Sequence, residues 1–393
     1  MESLIANGAK HFFASGKHLK SPLEMKTPFR LLPVKKARAH LETIVPVIFH
    51  NKRVGKNPNL TRFHRFPFQL SDGEYNSLCY FRTPLTDADP LPVDAPVVLL
   101  IHGLSGDSTS QYMIASMHMA HRHGWRAIGV DGRGVSTPQT RAKSFSAMCD
   151  ADLKEVVEHV VEKFPGAPIA VCGWSLGGVI VLRYLRDPHP AVKVGVATST
   201  PLELEKTVDA LDNGLSKMYR GGMLDAARGP LLDAVEHGEN IGLEECGVTP
   251  DIIRKCVGAR EFVEEVIAPT FGYPRSRAHE YYRELNARHW KDELVHVPLL
   301  IMQAANDPLL SKSDHQLLGS FPVNVQTILF PSGGHLGFWS GWPPKNISIQ
   351  LLSMFLEANL ERSGVVEEEK MADDMADDTE LDDEAALVAK SRI

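Results

Sequence analysis

The sequence predicts an α/β fold: a doubly wound, mostly parallel sheet with an inserted helical cap. Three observations lead there. Short unbroken runs of Val, Ile and Leu recur along the chain, each followed by a turn signal. Strands buried on both faces of a parallel sheet read this way, without polar alternation. Helical patterns lie between the runs, which implies crossover connections. The alternation then stops for one long stretch in which helix follows helix before strand rhythm returns.

The runs are Val97–Ile101, Ala127–Val130, Ile169–Cys172, Val192–Thr198, Leu299–Ala304 and Val325–Phe330. Among the helices between them, Leu153, Val156, Val157, Val160, Val161 and Phe164 fall on one helical face, with Asp, Glu and Lys on the other. Residues 205–292 carry helical stretches broken by Gly and Pro, and the strand pattern resumes at Val297. Long excursions of this kind commonly form lids. The expected organisation is a basic extension at 1–65, a first core part at 66–204, a helical cap at 205–292, a second core part at 293–360 and a disordered tail at 361–393. The tail repeats Met-Ala-Asp-Asp at 371–378 and is too rich in carboxylates to bury a core.

Charge is unevenly spread along the 393 residues. The net charge is −7, yet residues 1–65 hold 13 Lys or Arg against 3 Glu, and residues 361–393 hold 12 acidic against 4 basic residues. The basic end fits either a solvated arm or peripheral contact with an anionic membrane. Nothing in the pattern points to nucleic acid. Five cysteines (Cys79, Cys149, Cys172, Cys246 and Cys256) form no CxxC pair, which argues against a disulfide framework or a zinc site and favours a reducing, cytoplasmic compartment. No apolar run reaches the ~20 residues that span a bilayer, and no secretory signal is read at the start. The sequon Asn346-Ile347-Ser348 is therefore expected to stay unmodified. The last three residues, Ser391-Arg392-Ile393, resemble a peroxisomal address, an alternative for location.

The chemistry concentrates at strand ends. Ile169–Cys172 runs into Gly173-Trp174-Ser175-Leu176-Gly177-Gly178, and a helical pattern follows. This is G-x-S-x-G in its strand–turn–helix setting, where a sharp turn lifts the serine hydroxyl above the sheet edge at a helix N-terminus. A serine hydroxyl needs an adjacent base. Of the 17 histidines, His335 stands out, because Val325–Phe330 feeds a Gly-rich and therefore flexible loop, Pro331 to Gly337. The acid that orients an imidazole is expected at Asp307, just past Leu299–Ala304 and ahead of Pro308. The order Ser175, Asp307, His335 is that of the α/β-hydrolase fold. Asp314 falls within the next helix. Asp131, in the turn Asp131-Gly-Arg133-Gly-Val135, reads as a turn former with the triad loop as a second possible contact. Oxyanion donors are expected at the backbone N–H of Leu176 and of Leu104, the latter in His102-Gly-Leu-Ser-Gly106. His102 reads as a brace for that loop. No metal cluster or nucleotide loop is evident, so no cofactor is expected.

These segments together resemble the YheT-like α/β-hydrolases, which include plant embryogenesis-associated proteins, yeast ethyl ester synthase/esterases and animal abhydrolase-domain lipases. The resemblance rests on His102–Gly106 with Ser110-Gln-Tyr112, Gly173–Gly178, Asn306-Asp307-Pro308 and Gly334-His-Leu-Gly-Phe338. Ala39–Ile44 is similar to the family's opening segment, and Phe262–Tyr282 to its passage from cap to core. The likeness spans roughly residues 37–358. It implies hydrolysis or transfer of acyl groups on lipid-like, medium- or long-chain esters, with Ser175, Asp307 and His335 as the triad. Two departures stand out. The animal relatives carry an N-terminal membrane anchor that is not read here, and the family's Asn-x-Arg-Gly-Cys turn is Asp131-Gly-Arg-Gly-Val135, which is expected to alter the pocket wall.

Three functions remain open on the sequence: a serine ester hydrolase acting on a small-molecule lipid ester, an acyltransferase or ester synthase using the same triad, and a non-catalytic binding or adaptor protein on a hydrolase fold. Apolar cap residues such as Leu215, Met218, Met223, Leu231 and Leu232 suit a lipid pocket or ordinary packing equally.

Overall fold

The six strands expected from the apolar runs join two more, N-terminal to them, in an eight-stranded sheet. The computed structural model describes residues 35–56, 63–81, 91–340 and 345–360, with side chains in the first segment described at 38–48. The basic residues 1–34, the acidic tail 361–393 and the terminal tripeptide lie outside the described residues. In chain order the strands are β1 (Phe63–Gln69), β2 (Tyr75–Phe81), β3 (Val97–Ile101), β4 (Arg126–Asp131), β5 (Ile169–Trp174), β6 (Val192–Thr198), β7 (Leu299–Ala304) and β8 (Val325–Phe330). Their spatial order is β1-β2-β4-β3-β5-β6-β7-β8. Pairing is antiparallel for β1–β2 and β2–β4 and parallel for the rest.

β1 and β2 escape a search for aliphatic runs. β1 reads Phe-His-Arg-Phe-Pro-Phe-Gln and is mostly exposed. It lies at the sheet edge, where Pro67, which has no N–H to donate, is tolerated. β2 is buried, yet it includes Asn76 and Ser77.

Helices of six residues or more are α1 (Lys35–Lys56), α2 (Gln111–Arg122), α3 (Asp150–Lys163), α4 (Leu176–Tyr184), α5 (Leu204–Asp212), α6 (Lys217–Glu236), α7 (Pro250–Lys255), α8 (Ala278–Leu285), α9 (Lys312–Leu317) and α10 (Ile347–Asn359). Alternate strand residues serve opposite faces. Val97, Leu99 and Ile101 pack with Leu153, Val156, Val157 and Val160 of α3. Val98 and Leu100 pack with Met113 and Met117 of α2 and with Leu351, Leu352 and Phe355 of α10. Each such side chain, fully buried, contributes about 1.5–3 kcal/mol. Helices on both faces explain why these strands show no polar alternation.

Between β6 and β7 the described chain is helical, with no strand. Leu231, Ile253, Phe262, Val266, Tyr281 and Leu285 gather here into a core that also takes in Val179 of α4. Of the apolar residues singled out in this stretch, Leu231 is packed in that core, Met223 and Leu232 pack partly against it, and Leu215 and Met218 are exposed. Asn346 of the sequon caps α10, its side chain accepting from the Ser348 and Ile349 amides. Among the described residues no helix is long and apolar enough to cross a membrane.

Candidate active site

The parallel pairings bring the C-terminal ends of five strands to one edge. Ile101 of β3 is level with Gly173 of β5, Trp174 with Thr198 of β6, Thr198 with Met302 of β7, and Ala304 with Phe330 of β8. Every predicted reactive residue lies just beyond one of these ends, where open α/β sheets place their sites.

Ser175 sits between β5 and α4 with φ 51° and ψ −119°, a backbone conformation that a side chain other than glycine's rarely adopts. The turn is held by the Ser175 amide, which donates to the Thr198 carbonyl at 2.9 Å. Its glycines answer to space. A Cβ at Gly177 would strike the carbonyls of Ile101 and His102, and one at Gly178 would strike the Thr200 hydroxyl. The close approach of α4 to β3 therefore requires glycine there.

His335 and Asp307 complete a hydrogen-bonded chain. His335 Nδ1 lies 2.8 Å from Asp307 Oδ2, and its Nε2 lies 2.9 Å from Ser175 Oγ. An ionised carboxylate only accepts, so the proton belongs on Nδ1 and Nε2 is free to accept the serine hydroxyl. Both side chains are almost wholly buried. Asp307 is steadied by the Leu309 amide, which donates to its Oδ1 at 2.9 Å.

The histidine loop, expected to be flexible, is instead tightly braced. The Gly333 and Gly334 amides donate to Asn306 Oδ1, Gly333 also donates to Glu42 Oε2, and the His335 amide donates to Thr43 Oγ1 at 2.9 Å. Leu336 and Phe338 take positive φ, at 68° and 47°. The glycines serve close approach rather than mobility: a Cβ at Gly334 would meet Thr43 and the Ala39 carbonyl, and one at Gly337 would meet the Glu42 carbonyl.

The loop after β3 borders the serine. A Cβ added at Gly103 would lie 3.2 Å from Ser175 Cβ, so Leu104 follows directly beside the nucleophile, and Leu176 is the first residue of α4. The loop is anchored from below. The Gly103 amide donates to the Tyr112 hydroxyl at 3.0 Å. Burial pushes that phenol up to about 12, so it stays neutral. His102 accepts from the Gly132 amide through Nε2, so its Nδ1 carries the proton and donates to the Gly103 carbonyl at 2.6 Å. His102 is thus the brace the sequence implied.

Asp131 does not reach the triad loop. It accepts from the Ser108 amide and hydroxyl, the Ser136 hydroxyl and the Cys79 thiol, tying β4 to the loop after β3. Burial and the Asp131 carboxylate push the Cys79 thiol up to about 12, so it remains a donor. The turn that departs from the family pattern is therefore a structural knot at this point. Asp314, fully buried in α9, accepts from the Leu202 and Glu203 amides and has no triad role. Glu42, Thr43 and Tyr112 were not singled out for function; all three stood only inside family-like segments, with no periodicity or turn signal of their own.

Comparison with known proteins bears on the family and the fold. The family model Hydrolase_4, described as "Serine aminopeptidase, S33", matches residues 94–338. The chain is 28% identical over 333 residues to embryogenesis-associated protein EMB8 of Picea glauca, covering 80% of this chain and 68% of that protein. It is 28% identical over 271 residues to phospholipase ABHD3 of Mus musculus, covering 63% of this chain and 60% of that protein. An esterase of Pyrococcus furiosus, Pf2001, shares the fold with a TM-score of 0.50 at 14% identity, over 77% of this chain and 96% of that one. The sheet order, the Gly173–Gly177 elbow and a family match running from ahead of β3 to Phe338 lead to one assignment: the chain belongs to the Hydrolase_4 (S33) family of α/β-hydrolases.

Proposed function

We propose that the chain is a serine carboxylic-ester hydrolase acting on lipid-like esters with medium or long acyl chains, with Ser175 as nucleophile, His335 as base and Asp307 as its orienting acid. The observation that carries this reading is the unbroken chain from Ser175 Oγ through His335 to the buried Asp307 carboxylate. The choice of a lipid-like ester draws on the relatives, one of them a phospholipase.

In this reading Ser175 Oγ attacks the ester carbonyl as His335 Nε2 takes its proton. The Leu104 and Leu176 amides face the oxyanion of the tetrahedral intermediate, each worth about 3 kcal/mol of barrier in comparable sites. Collapse breaks the bond to the alcohol, which leaves with the proton from His335. A water, deprotonated by the same imidazole, then attacks the acyl-serine and releases the acid, and the proton returns to Ser175. Asp307 holds the productive tautomer and offsets the imidazolium charge. Residues 205–292 act as the cap over this centre, between core parts 66–204 and 293–360. Their helical makeup and their packing on Val179, in the helix that Ser175 opens, support that division.

The test is reaction of wild type and Ser175→Ala with a fluorophosphonate probe, alongside turnover of p-nitrophenyl esters from acetyl to palmitoyl. Labelling and turnover in the wild type alone support the assignment, and the chain-length optimum then reports on the pocket. A folded wild type that neither labels nor turns over any ester overturns it.

A further inference from the structure

The helix α1 precedes the first strand of the sheet, and its contact residues lie 264 to 292 positions ahead of their partners in the acid and base loops, yet it reaches both. Glu42 is buried to 2% exposure, where a carboxylate needs hydrogen-bond partners to offset its lost hydration. Its Oε2 accepts from Asn306 Nδ2 at 2.7 Å and from the Gly333 amide at 3.1 Å. Asn306 immediately precedes Asp307, and Gly333 lies two residues before His335. Asn306 Oδ1 in turn accepts from the Gly333 and Gly334 amides at 3.0 and 3.1 Å. One residue further along α1, the Thr43 hydroxyl donates to the Ala39 carbonyl at 2.9 Å and accepts the His335 amide at 2.9 Å. The helix is held by α6 as well: His40 Nδ1 and the Tyr219 hydroxyl lie 2.8 Å apart, with the rings stacked at 5.6 Å.

We propose that Glu42 and Thr43 are positioning residues for the reaction: together with Asn306 they clamp the acid loop to the base loop and set the distance between Asp307 and His335. This rests on the triad reading above. The physical reason is that β7 and β8 align only the strands. Beyond their ends, the two loops have no ladder to hold them in register, and Leu336 and Phe338 keep strained positive φ just past the histidine. A carboxylate that accepts from both loops supplies a shared anchor in place of the missing ladder. Because the clamp acts through the loops that carry Asp307 and His335, with no hydrogen bond to Ser175 among the described residues, its loss is expected to act on the bond-making step more than on ground-state binding.

The experiment compares wild type, Glu42→Ala, Glu42→Gln, Thr43→Val and Thr43→Ser in full-length protein, each checked for fold by circular dichroism, for ester turnover and for the rate of fluorophosphonate labelling. Glu42→Ala is expected to lower kcat by about 10–100-fold with KM within about twofold. Glu42→Gln, which keeps a carbonyl acceptor, is expected to recover much of that loss. Thr43→Val keeps the shape, loses the acceptor for the His335 amide, and is expected to lower kcat in the same way, with Thr43→Ser restoring it. This second pair decides the matter if Glu42→Ala fails to fold. Folded Glu42→Ala and Thr43→Val enzymes that label and turn over like the wild type overturn the positioning role while leaving the triad intact. A wild type that does not label removes the triad reading, and this proposal falls with it.

Discussion

His335 Nδ1 lies 2.8 Å from Asp307 Oδ2, although the two residues belong to separate loops and are 28 positions apart. The parallel pairing of β7 and β8 brings the two loops to one edge of the sheet, which is the first requirement for this contact. Ala304 and Phe330 end the two strands side by side, so the chain emerges from both at the same level with the acid three residues and the histidine five residues further on.

Replacing Asp307 with Asn keeps the size of that partner and removes its charge. The amide no longer enforces the tautomer with the proton on Nδ1. Turnover is expected to fall by about four orders of magnitude, with the fold retained. Steady-state kinetics on the preferred ester, beside a thermal melt, checks both parts.

Gly177→Ala tests the geometry of the elbow rather than its chemistry. The new methyl meets the Ile101 and His102 carbonyls, which are backbone atoms of β3 and the loop beside the serine. About 1–3 kcal/mol of destabilisation is expected, with turnover largely lost because the Leu104 loop is pushed out of place. A variant with wild-type melting and turnover would show that the packing there is looser than described.

Arg133 is buried between two carboxylates. It pairs with Asp152 through Nε and Nη2 at 2.6 and 2.7 Å and with Asp72 at 2.7 Å. Truncation to Ala leaves Asp152 buried and unpaired, and such a loss costs about 3–5 kcal/mol. Urea denaturation is the measurement. Since Arg133 follows Asp131 in the same turn, reduced turnover is expected to accompany the lost stability.

His315 supplies a pH dependence. Burial lowers its pKa below 6.5, although Asp307 and Asp314 pull it upward. The unfolded chain therefore binds the proton more readily than the folded one. The contribution is present in full above pH 6.5 and is lost as pH falls through and below that value. His315→Gln is expected to flatten the fall in unfolding free energy between pH 7 and pH 5, measured by urea titration at each pH. A slope equal to that of the wild type would count against this account.

Much of this protein was legible from its residues. The aliphatic runs marked β3 to β8 because strands covered on both faces need apolar side chains at every position. Ser175 announced itself because a strained turn between strand and helix demands glycine at fixed offsets. Asp307 and His335 could be named because they follow strands in the order the fold uses. β1 and β2 went unnoticed because an edge strand has little to bury, and because Asn76 and Ser77 are buried polar residues that break the apolar pattern.

The sequence by itself determined the strands of the parallel sheet, the elbow and the candidates for nucleophile, base and acid, because each depends on local geometry or short-range periodicity. Tertiary structure alone decided that the histidine loop is braced by hydrogen bonds, that Asp131 braces the loop after β3 instead of the triad, and that Glu42 and Thr43 stand behind the acid and base. Those outcomes depend on hydrogen bonds between residues tens to hundreds of positions apart. Such bonds form only once the sheet has set the loops side by side, and they leave no period or spacing in the chain.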